Sequence, residues 1–216
     1  MHDPRRALLL EEIVKIRVLA VTAIAALTLT ACGSGQQLSG AAAVVGDVRI
    51  PQSAVTDQVS KARADIEKLP KDAVQQVPTL VLLGAMNVDR LVLDEILKTA
   101  LSKKTVTVTP VEISTFRDSI YAQYGKDAVQ QQLLTQNGVP IESVDDFMYE
   151  ILAQQKLMAV LAPSGDQNAQ VDALNKYMAQ TSNDVGVQLS PRYGEWNPNK
   201  MMSAAGDITL SVQAPK

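Results

Sequence analysis

Ala43-Val44-Val45-Gly46-Asp47-Val48-Arg49-Ile50 sets the architecture of this chain: two short β-rich runs broken by a Gly-Asp pair, which is a hairpin signal. A lone hairpin is marginal in water and needs a further strand or a helix to cover it. The pattern that follows is helical. Pro51 and Ser53 open a helix to about Leu69, in which Ala54, Val55, Val59, Ala62 and Ile66 recur with a 3.6-residue period. Lys61, Arg63, Asp65, Glu67 and Lys68 take its wet face. Hydrophobic residues make up 46% of the sequence and aromatics only 4%, so the core must be built from Val, Leu, Ile, Ala and Met. That composition favours helices.

The second helix, roughly Val74 to Leu101, carries no charge from Val77 to Val88. Leu80, Val81, Leu82, Leu83, Met86 and Val88 cover most of its circumference there, and an all-apolar helix is either buried on several sides or covered by a partner. Gly84 is placed to let another backbone approach. Thr105 to Thr109 alternates like a strand, but Thr109-Pro110-Val111-Glu112 fits a capping box with proline at N1, so an extended linker should enter a helix ending at Tyr124. Asp127 to Gln136 forms the next helix and stops at Asn137-Gly138, a left-handed cap. Ser143 caps another, with Asp145 and Asp146 in its first turn, that runs to Pro163-Ser164-Gly165. A last helix, Gln170 to about Thr181, precedes a strand at Val185 to Leu189 and an irregular stretch from Pro191 to Pro198 that holds the only Trp.

Upstream, Arg5, Arg6, Lys15 and Arg17 precede an uncharged run from Val18 to Thr30, the length of a secretory h-region and too short for a membrane span. Leu29-Thr30-Ala31-Cys32 ends that run with small residues and the only cysteine, and looks like the lipobox of bacterial lipoproteins. The resemblance implies removal of residues 1–31 and lipidation of Cys32. An ordinary secretory signal followed by a free thiol, or a buried core cysteine, is the alternative. Asp3, Glu11 and Glu12 are unusual in such a leader and point to a start nearer Val14. The expected organisation is a signal peptide (1–31), a flexible tether (32–42), one helical domain (43–200) and a tail (201–216) read as disordered apart from a strand signal at Ile208 to Val212.

The chain after residue 31 has 185 residues with 16 basic and 20 acidic side chains, a weakly acidic balance without a basic stripe, which makes it a poor nucleic-acid binder. Its only histidine, His2, lies in the leader, so Ser-His, Cys-His and His-based zinc chemistry have no imidazole to use. Asp145-Asp146 and Asp94-Glu95 are adjacent carboxylates on helices and point about 100° apart, which is unsuited to a general acid/base pair. With no phosphate loop or metal spacing either, neither an enzyme nor a cofactor is expected.

The ordered set of the Val44-Val45-Gly46-Asp47 hairpin, two helices, Thr109-Pro110-Val111-Glu112, Asn137-Gly138-Val139-Pro140-Ile141-Glu142 before a long helix, and Val187-Gln188-Leu189-Ser190-Pro191-Arg192-Tyr193-Gly194-Glu195-Trp196 resembles the N-terminal chaperone domain of the SurA and PrsA family of extracytoplasmic foldases. The resemblance implies a mostly α (α+β) fold in which a small antiparallel sheet joins the hairpin to the strand at Val185 to Leu189. It also implies that Tyr193 and Trp196 lock that strand onto the helical body. Pro163 to Ala169 stands where full members insert a parvulin-type isomerase domain, so the implied function is a lipid-anchored holdase on the outer face of the cell membrane, without isomerase activity. Unfolded or newly secreted polypeptides are its expected partners. Leu80, Leu83, Met86 and Met148 are the expected client-binding residues, methionine suiting varied partners. A scaffolding lipoprotein with one dedicated envelope partner is the alternative.

Overall fold

A computed structural model describes residues 38–70, 73 and 77–204. The described residues from Gly40 to Ala204 form one compact unit. The expected leader, Cys32 and the strand signal at 208–212 lie outside the described residues.

The described chain is mostly helical with a small antiparallel sheet, as its composition implies. The hairpin forms as β1 (Ala41–Val45) and β2 (Val48–Pro51), with Val45 opposite Val48 and Ala43 opposite Ile50. Gly46 takes φ +57° in its turn, a conformation open to glycine at little cost. Its amide donates to the Gly186 carbonyl (2.9 Å), which ties the hairpin to the far end of the chain. There β3 (Val187–Leu189) pairs antiparallel with β1, Ala43 opposite Leu189, to give the sheet order β2-β1-β3. The cover the hairpin needs is therefore the late strand.

Among the described residues the helices that follow β2 are α1 (Gln52–Ile66), α2 (Leu80–Lys104), α3 (Pro110–Tyr124), α4 (Lys126–Asn137) and α5 (Val144–Leu161), and α6 (Gln167–Val185) leads into β3. The central helix is α2. Its Val88, Val92, Ile96, Leu97 and Ala100 are fully buried against β1, α5 and α6, together with Val55 of α1. Each large side chain so buried stabilises the fold by about 1.5–3 kcal/mol. A second, smaller core gathers Val129, Leu133, Val139, Val144 and Met148 under Phe116 and Phe147, and joins α3 and α4 to the start of α5. A 3-10 turn (Pro191–Tyr193) then leads to a second sheet of β4 (Glu195–Asn197) and β5 (Met202–Ala204).

Several boundaries differ from the sequence expectation. The body starts at β1 rather than at residue 43, because Ala41 and Ala42 are buried and the Ala42 carbonyl accepts from the Ser190 amide at 2.8 Å. It does not end at residue 200, since Met202–Ala204 pairs with β4. Helix α2 begins only at Leu80, because Pro78 disfavours helix at Val77 and Thr79 is the cap, its Oγ1 accepting from the Leu82 amide. Ser143 occupies the N-cap position of α5, but its side chain makes no cap bond there. It sits in a 3-10 turn (Ile141–Ser143) and its hydroxyl donates to Gln58 Oε1 of α1 at 3.1 Å. Helix α6 starts three residues early, where Asp166 accepts from the Ala169 amide at 2.9 Å. The capping box at Thr109 is formed in both directions, and Gly138 ends α4 at φ +63°.

Candidate functional site

Helix α2 presents two different faces in its first two turns. Leu83 and Val88 turn into the protein, whereas Leu80, Val81 and Leu82 stand at 54%, 46% and 50% exposure. Three adjacent large apolar side chains in solvent are uncommon, and such patches mark contact surfaces. They border a cleft of about 500 Å³ whose other walls are Met86, the Tyr193 ring and Met202 of β5. Three side chains hold that opposite wall. Tyr193 is buried and its hydroxyl accepts from Gln52 Nε2 at 2.6 Å. The Asp89 carboxylate accepts from the Ser203 amide (2.9 Å) and fixes β5 against α2. Trp196 donates from its indole nitrogen to Ser182 Oγ on α6 at 2.8 Å, so both aromatics lock the late segment onto the helices.

The polar groups of the cleft are Asp89 at its inner end and Arg192 at its rim. Burial pushes the Asp89 carboxyl above its ordinary value, against the two hydrogen bonds from Ser203 that favour the charge. Arg192 is exposed and has no ion pair or hydrogen bond among the described residues. The site is thus an apolar trough with one cation available at its edge.

The four residues expected to bind clients do not form one surface. Leu80 and Met86 line this cleft. Leu83 is 1% exposed and packs beside Gly138, where an added Cβ would stand 2.8 Å from Leu83 Cδ2. Met148 is 2% exposed and belongs to the second core, where it floors a separate apolar cleft of about 510 Å³ between Phe116, Tyr124, Leu133 and Phe147. Leu83 and Met148 therefore belong to packing. Nor does Gly84 admit a backbone: what lies over it is the Tyr193 ring, at ordinary contact distance. Val81 and Leu82, inside the apolar run, and Arg192 and Met202, far along the chain, complete the site. A seam three residues wide at the start of a helix was the available signal for the first two, and none pointed to the others.

A polar pocket of about 270 Å³ lies further along α2, between Arg90, Asp94, Lys98, Gln58, Tyr149 and Glu150. Gln58 Oε1 accepts from Arg90 Nη2 at 3.1 Å, while Arg90 Nη1 is buried with no partner. Burial drives the Glu150 carboxyl up to about 8, Asp94 and Asp146 adding to the rise and Arg90 opposing it. Asp94 and Glu95 instead both pair with Lys98, so these carboxylates hold a surface cation.

No protein family, curated protein or solved structure matches the chain. Among the described residues no group of three or more His, Cys, Asp and Glu could hold a metal ion, and no helix is long and apolar enough to cross a membrane.

Proposed function

We propose that this chain is a membrane-anchored lipoprotein, attached through Cys32, that holds unfolded or newly secreted polypeptides on the apolar cleft at the start of α2. The observation that supports this reading most is the exposed triplet Leu80, Val81 and Leu82, carried on a well-capped helix whose other face is the protein's core. A rigid apolar trough of this kind takes apolar side chains of an extended or helical segment without demanding a sequence, because its walls offer shape and few directional polar groups. Met86 and Met202 at its sides adapt to different occupants. Neither a cofactor nor isomerase chemistry enters the proposal.

The test is light scattering of a chemically unfolded model protein with and without the fragment from Gly33 onward, which contains the whole compact unit. Suppression at near-stoichiometric ratio is expected, and Leu80→Asp with Leu82→Asp should abolish it while circular dichroism stays helical. Undiminished suppression by that double variant would remove the cleft from the reading. No suppression by the folded parent fragment would favour a scaffold for one dedicated envelope partner.

A further inference from the structure

The cleft is walled on one side by β5, and past Ala204 the sequence continues Ala205-Gly206-Asp207-Ile208-Thr209-Leu210-Ser211-Val212 toward its last residue, Lys216. Three properties of that segment match the cleft. The first is position. Met202 and Ser203 already line it, and the five residues from Ser203 to Ile208 span at most about 17 Å, so Ile208 begins within reach of a wall the chain has just formed. The second is pattern. Ile208, Leu210 and Val212 alternate with Thr209 and Ser211, which in an extended chain gives one apolar edge to set against Leu80, Val81 and Leu82. The third is charge. Arg192 is the one cation lining the cleft and is unpaired among the described residues, whereas the acid there, Asp89, is already engaged by the Ser203 amide. Asp207 stands immediately before the apolar residues and supplies the missing carboxylate.

We propose that residues 207–212 of this chain dock in its own cleft, with Ile208 and Leu210 against the exposed apolar triplet and Asp207 paired with Arg192. The C-terminal segment is then a built-in occupant that a client must displace. This rests on the cleft being a binding surface, as proposed above, and is independent of what the client is. An internal competitor raises the apparent client Kd by the reciprocal of the fraction of time it leaves the site free, and it shields apolar surface while no client is present.

The decisive probe is the uncharged dye Nile red, whose fluorescence reports accessible apolar surface, applied to the fragment from Gly33 onward. Changing Ile208→Asp, Leu210→Asp and Val212→Asp together should raise bound-dye fluorescence several-fold over the parent. Adding Leu82→Asp to that variant should return it to the parent level. Equal fluorescence in parent and triple variant, at equal helicity, overturns the proposal. Arg192→Asp and Asp207→Arg should each raise the signal and together restore it, and failure of the combined exchange to restore overturns the pairing. Fluorescence that rises when the parent is diluted would place the segment in a second copy's cleft and overturn docking in cis. The two proposals fail separately: a triple variant that gains dye but does not suppress aggregation keeps the docking and removes the holdase reading.

Discussion

Glu150→Gln should make this protein more stable, and the gain should grow with pH. Glu150 sits on α5 in the polar pocket against α2, facing Arg90, Asp94 and Lys98, with Asp146 one turn earlier on its own helix and Gln58 across from it. Burial raises its carboxyl from 4.5 to about 8. The folded state therefore keeps a proton that the unfolded chain loses, and folding stability falls as pH rises between those two values. At about 1.36 kcal/mol per unit, the loss between pH 5 and pH 9 reaches about 4 kcal/mol as a ceiling, and solvent reaching a half-buried carboxylate brings the expected figure to about 2–3 kcal/mol. Glutamine keeps the shape and never ionises. The assay is urea unfolding by circular dichroism at both pH values, on the fragment from Gly33 onward. That fragment has no histidine and no cysteine, so few other side chains titrate in this window. Asp89, also raised by burial, is common to both proteins and cancels in their difference. The parent midpoint should fall further from pH 5 to pH 9 than that of the variant, so that the gap between them widens with pH. Parallel pH dependence in the two proteins would refute the assignment of a neutral, buried Glu150.

Four further outcomes follow from named contacts. Gly138→Ala should destabilise by about 2–4 kcal/mol in urea, because the residue is held at φ +63° and the new Cβ would press on fully buried Leu83. Thr109→Ala removes the hydroxyl that accepts from the Glu112 amide while leaving the Thr109 amide bonded to the Glu112 carboxylate, and should cost about 1 kcal/mol, read as a lower unfolding midpoint. Trp196→Phe leaves the hydroxyl of buried Ser182 without its indole donor, for a loss of about 1–2 kcal/mol; an unchanged midpoint would remove that bond from the account. The Lys156 ammonium, then the Thr109 backbone and hydroxyl, hold the Glu112 carboxyl down to about 2, so its favourable contacts persist until pH falls towards that value. Lys156→Met should move its NMR titration midpoint back towards the ordinary 4.5, and no movement would deny the pairing.

Local chemistry was legible in the sequence wherever the signal acts within one turn. The Gly46-Asp47 hairpin, the Thr109–Glu112 box and the Gly138 cap each need only a few neighbouring residues to specify a backbone path, and each forms where its residues stand. Ser143 and Asp166 show the limit. Both can cap a helix, and which one does depended on whether the side chain found a better partner, which for Ser143 is Gln58, 85 residues away. The pairing of β1 with β3 was expected through a resemblance and not through the residues themselves, because strand partners so far apart in sequence leave no periodic trace.

The candidate site divides along the same line. By itself the sequence determined that the start of α2 is apolar on nearly every side, since the nine residues from Leu80 to Val88 carry no charge and only one polar side chain, Asn87. It could not say which of those residues were core. Only the tertiary structure decided that Leu83 is packed beside Gly138 while Leu80, Val81 and Leu82 remain in solvent, and that Arg192 and Met202, more than a hundred residues later, close the same cleft. The physical reason is that hydrophobicity is a property of a side chain, whereas burial belongs to whatever the rest of the chain places against it.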